Sequence, residues 1–78
     1  MPTVLRSGSF RFFFYAGDRN KPPHIHIERG EGEAKFWLDP VRLERSHGIR
    51  SKEVNRIQER VEEHQGELLE AWDEFFHR

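Results

Sequence analysis

The sequence predicts an α+β domain: an antiparallel meander of four or five short strands, followed by one long C-terminal helix packed on one face of the sheet. Two observations carry this expectation. Up to about Ser46 apolar and polar residues alternate with period two, and after Ser51 the apolar residues recur with the helical period. Ser7-Gly8-Ser9 and Arg29-Gly30-Glu31-Gly32 interrupt the alternating part with residues suited to tight hairpins, so sequential strands should pair directly.

The first strand is expected over 3–6 and the second over 10–15, where Phe10, Phe12 and Phe14 share one face and Arg11, Phe13 and Tyr15 the other. A loop of Gly, Asp, Asn and Lys follows. Pro22 and Pro23 have no amide proton to give a ladder and hold the chain extended, so they suit the entry to a third strand, 23–28. The fourth strand should span 33–38, ended by Asp39-Pro40, and residues 41–45 alternate again as a short fifth. The helix is expected over 52–76. Ser51 suits its N-cap and Glu53 the positive end of its dipole. Val54, Ile57, Val61, Leu68, Trp72 and Phe75 form one apolar stripe. Gly66 costs about 1 kcal/mol relative to alanine, which weakens or kinks a helix more often than it ends one, so the stripe predicts one long helix, with Gln65-Gly66 the place where a bend would fall.

Seventy-eight residues with charged residues at 35% describe one small domain, 1–78, of the water-exposed globular class. The longest apolar run, Phe12 to Ala16, is too short to span a bilayer, and MPTVLRSG does not read as a secretory leader. Without cysteine there is no disulfide frame and no thiolate metal site, and a cytoplasmic location is the simplest expectation. A formal charge of −1 argues against a dedicated duplex-DNA binder. Nucleic acid, if it is a ligand, must meet a local patch.

Two histidines stand one residue apart in PPHIHIE. Ile25 and Ile27 belong to the core face, so His24, His26 and Glu28 share the other. Closing the hairpin through RGEG sets Glu28 opposite Glu33, His26 opposite Lys35 and His24 opposite Trp37. Parity in the preceding strand brings Arg11 beside Glu28, Phe13 beside His26 and Tyr15 beside His24. The predicted face is therefore Arg11, Phe13, Tyr15, His24, His26, Glu28, Glu33, Lys35 and Trp37. A single helix covering the opposite side leaves it open.

Three chemistries suit that face. In a metal-independent ribonuclease, His24 and His26 are general base and acid, Lys35 or Arg11 stabilises the phosphate, and an aromatic ring stacks a base. In a metal-binding domain His24 and His26 are the only evident ligands, and no third is found. In an interaction surface, Trp37, Tyr15 and Phe13 bury against a partner or a second copy of the chain. The binding surface is the leading expectation, with no metal and no cofactor. Arg42, Arg45, Arg50, Arg56 and Arg60 alternate with glutamates and read as a solvated, ion-paired surface.

The segments MPTVLR, RFFFY, PPHIHIE, GEAKFWLDPV and LLEAWDEFF resemble a family of short bacterial proteins known as domain of unknown function 4160. Pro22, Pro23, His24, His26, Glu33, Lys35, Phe36 and Trp37 stand at the family's motif positions. The resemblance implies a gene often adjacent to that of a second small protein, an arrangement suspected of forming toxin–antitoxin modules. It brings no established catalytic residues. The expectation is a component of such a two-gene module, acting through a neighbour-encoded protein or a homodimer and through RNA. The alternatives are the ribonuclease toxin, a non-enzymatic dimerisation or regulatory module, and the metal-binding domain.

Overall fold

The computed structural model describes residues 3–76. Five strands, β1 (Thr3–Ser7), β2 (Phe10–Phe13), β3 (His24–Arg29), β4 (Gly32–Leu38) and β5 (Val41–His47), form one antiparallel sheet in the order β1-β2-β3-β4-β5. Two helices follow, α1 (Ser51–Glu63) and α2 (Gln65–Phe76). Among the described residues no helix is long and apolar enough to cross a membrane.

The hairpin registers agree with the alternation. Across β3 and β4, His24 faces Trp37, Ile25 Phe36, His26 Lys35, Ile27 Ala34 and Glu28 Glu33, while Arg29 and Gly32 flank the turn. Across β2 and β3, Arg11 faces Glu28 and Phe13 faces His26. The parity of each strand sends Phe12, Phe14, Ile25, Ile27, Ala34, Phe36 and Leu38 to one side. Val54, Ile57 and Val61 of α1 close over them together with Leu68, Trp72 and Phe76 of α2.

Several boundaries differ from the expectation. β2 ends at Phe13 rather than Tyr15, because the chain turns at Tyr15 into a single 3-10 turn, Ala16–Asp18. β5 runs on to His47. The helix is two helices, not one. His64 leaves helical geometry at φ −108°, ψ 15°, and the Gln65 side-chain amide donates to the Leu38 carbonyl at 2.7 Å. That bond anchors the break to the end of β4. Ser51 is the first helical residue rather than the cap: Arg50 takes the N-cap position without a side-chain bond, and its carbonyl accepts from the amides of Glu53 and Val54. Glu53 instead pairs with Arg29, tying the start of α1 to the β3–β4 turn.

Candidate functional site

The second face of the sheet is not the open surface that a single covering helix implies. His24 is fully buried, His26 and Lys35 are 4% and 7% exposed, and Phe13 is buried too. Tyr15, Trp37, Arg11, Glu28 and Glu33 are half-buried. His26 lies beneath side chains of its own sheet and of the turn that follows β2. Its cover is aromatic: Phe13 stacks at 5.6 Å between centroids and Tyr15 meets it edge-on at 4.5 Å. Tyr15 does not continue the ladder opposite His24; it turns its ring onto His26. The Lys35 ammonium sits 4.8 Å from the Trp37 ring centre and the Arg11 guanidinium 4.4 Å from that of Phe13, so both cations lie over π-faces.

The organising residue is Asp18, which the periodicity of the strands gave no reason to single out. Its carboxylate Oδ2 accepts from His24 Nε2 at 2.7 Å and His26 Nε2 at 3.0 Å. The 3-10 turn brings it there, with the Asp18 amide bonded to the Tyr15 carbonyl and the Lys21 amide to that of Asp18. Its other oxygen, Oδ1, lies 3.6 Å from Lys21 Nζ. On the far side of His24, Trp72 of α2 packs at 5.0 Å between ring centres and Trp37 at 5.7 Å. Carboxylate and imidazoles therefore sit between the loop 15–23, the sheet and the end of α2.

Burial pushes the Asp18 carboxyl up, but the hydrogen bonds from His26 and His24 outweigh it and hold the group below the ordinary carboxylate value. Burial lowers the His26 imidazole, against the opposing pull of Asp18, and the neighbouring His24 lowers it further. For Tyr15 burial raises the phenol, as do Glu33 and Glu28. The Arg11 hydrogen bond, 2.7 Å long, holds Glu28 below its usual range. Glu28 is thereby committed to Arg11 and does not join the histidine cluster.

The two imidazoles differ in what their remaining nitrogens meet. His24 Nδ1 lies 2.9 Å from the Pro22 carbonyl, which accepts only, so Nδ1 carries the proton. His24 Nε2 then faces a second acceptor, the Asp18 carboxylate. Among the described residues His26 Nδ1 is buried without a hydrogen-bond partner, and Glu33 Oε1 lies 3.9 Å from it.

Of the residues expected at the site, the structure brings His24, His26, Lys35, Phe13, Tyr15 and Trp37 together and sets Glu33 beside His26. Arg11 and Glu28 form a separate pair. A general base or acid has to reach its substrate, and neither imidazole is presented at the surface. A third atom of metal-ligating type, which spacing within the strands did not supply, comes from the loop: Asp18, His24 and His26 each offer an atom within 4.8 Å of the others. The sequence signal was an aspartate placed six and eight residues before two histidines on one strand face.

No curated protein and no solved structure matches the chain. The family model "Domain of unknown function (DUF4160)" matches residues 9–73, from the second strand through most of the last helix, and so includes Asp18, His24, His26, Lys35 and Trp37. The chain belongs to that family.

Proposed function

We propose that the protein works by binding rather than by catalysis, as one component of a toxin–antitoxin-like two-gene module, and that the second sheet face receives single-stranded RNA. One observation carries the reading. The registers align Arg6, Arg11, Lys35, Arg42 and Arg45 on this face with Glu28 and Glu33, and the loop adds the buried Asp18, so cations are in excess there in a chain whose formal charge is −1. Arg6, Arg42 and Arg45 are exposed. Trp37 lines a shallow pocket of about 140 Å³ with Pro22, Pro23, Asp39, Pro40 and Arg42, which sets an aromatic wall beside an exposed guanidinium. Cations that track a backbone and a ring that stacks a base are the two parts of a single-strand platform. The protein encoded by the neighbouring gene is the partner this reading supplies.

The burial of His24 and His26 favours this over the ribonuclease reading. The test is fluorescence anisotropy with a labelled 12-nucleotide RNA. Binding should weaken with salt, and Arg42→Ala with Arg45→Ala should flatten the slope of log K on log salt by roughly 0.7 for each phosphate that is no longer neutralised. The RNA should be recovered intact. An absence of binding at 50 mM salt, or a slope unmoved by the double variant, would refute the reading. Co-purification of the untagged neighbour tests the two-gene arrangement separately.

A further inference from the structure

We propose that Asp18, His24 and His26 form a binding site for a divalent transition-metal ion, zinc in the first instance, held by both Nε2 atoms and one Asp18 carboxylate oxygen. Two imidazoles and a carboxylate are ligands of the right class for such an ion, and three protein ligands leave a further position for water or a small ligand. A tetrahedral ion with bonds near 2.1 Å separates its ligands by about 3.4 Å. The distances of 2.7 and 3.0 Å from Asp18 Oδ2 fall short of that by about 0.7 and 0.4 Å, and all three ligand atoms already lie within 4.8 Å of one another, so side-chain adjustments of under about an ångström for each group would seat the ion.

The stronger evidence is the far side of each ring. A metal-ligating imidazole donates its other N–H to a carbonyl or carboxylate. His24 Nδ1 meets the Pro22 carbonyl at 2.9 Å, and His26 Nδ1, without a hydrogen-bond partner among the described residues, has the Glu33 carboxylate 3.9 Å away. A metal on Nε2 turns both facts into one arrangement. It replaces the contact between His24 Nε2 and the carboxylate with a bond from each to the ion, and it leaves the His26 proton on Nδ1, the nitrogen that faces Glu33 Oε1 at 3.9 Å. Lys21, against Asp18 Oδ1, leaves Oδ2 to the ion. The ion clasps the loop 15–23 to β3, so it should act on stability, whatever the sheet face binds.

The experiment uses full-length protein without a histidine tag, stripped with chelator and titrated with zinc chloride and, in parallel, cobalt chloride. One equivalent of zinc should bind, and at a hundredfold excess over Kd the melting temperature should rise by roughly 10 °C or more. Cobalt should show d–d absorption of a low-coordinate nitrogen–oxygen site. Asp18→Asn, which keeps the side-chain shape, should weaken zinc binding by at least about a hundredfold, whereas a His47→Gln, His64→Gln, His77→Gln triple variant should leave it unchanged. Should Asp18→Asn fail to fold, nitrogen-15 spectra of the wild-type histidine rings decide. Zinc must take the Nε2 atoms of His24 and His26 and leave protons on their Nδ1 atoms. Zinc signals confined to His47, His64 or His77, affinity indifferent to Asp18→Asn in a folded variant, or no stoichiometric binding would overturn the site.

Discussion

Gly32 and Gly48 meet backbone to backbone: a Cβ on Gly32 would stand 2.5 Å from the Gly48 carbonyl oxygen and 2.6 Å from Ile49 Cγ1. Gly48 itself has φ +69°, so the chain leaving β5 for α1 passes through a left-handed residue pressed against the start of β4. The neighbour is backbone and has nowhere to yield. Gly32→Ala should therefore cost about 2–3 kcal/mol, measured as a lower urea midpoint with an unchanged m value.

Gly66 is the opposite case. Nothing lies within 4 Å of a Cβ built there, and it sits in the first turn of α2. Gly66→Ala should stabilise the protein by about 0.5 kcal/mol. Beside it, Gln65→Ala removes the donor to the Leu38 carbonyl and should cost about 1 kcal/mol. Thermal melts of the two variants should move in opposite directions.

Trp72 joins the main core to the histidine cluster, touching Phe14 at 5.3 Å, Phe76 at 4.2 Å and His24 at 5.0 Å between ring centres. Trp72→Ala should cost about 3–5 kcal/mol, a large share of the stability of a domain this small. The expected result is loss of near-ultraviolet dichroism at room temperature with much of the far-ultraviolet signal kept.

The Arg11–Glu28 pair sets an acid dependence whose sign follows from linkage. The folded-state value of Glu28 lies below the ordinary glutamate value of 4.5, so the unfolded chain binds more protons between the two. The pair's contribution is present above 4.5 and is lost as pH falls through the lower, folded-state value. With half of this pair at the surface, the effect is modest. Urea midpoints of the wild type should fall more steeply between about pH 5 and pH 3 than those of Arg11→Met; parallel curves would show that the pair contributes nothing.

The β3–β4 register was legible because HIHIE and EAKFW alternate on both sides of a glycine turn, and a one-residue slip would have exposed Ile25 and Ile27. Phe13 opposite His26 and Arg11 opposite Glu28 followed from the same parity. Asp18 was not legible, since its side chain is aimed by a 3-10 turn rather than by a repeating pattern, and periodicity carries no information about such a turn. The burial of His26 and Lys35 was hidden for a related reason. Parity assigns a residue to a face, but whether that face is covered depends on where Tyr15 and Asp18 go after the strand ends. The helix break escaped because Val61 and Leu68 keep the apolar stripe in phase across His64, while a single side-chain bond from Gln65 to β4 decides the geometry.

The order β1-β2-β3-β4-β5 has a kinetic consequence. Each strand's partner is the next one along the chain, so the sheet can zip from hairpin to hairpin with no distant segment to find and only short loops to close. The loop 15–23 is the longest connection within the sheet, and an ion that gathers Asp18 to His24 and His26 would shorten the search there, which refolding followed with and without zinc would register as a faster rate.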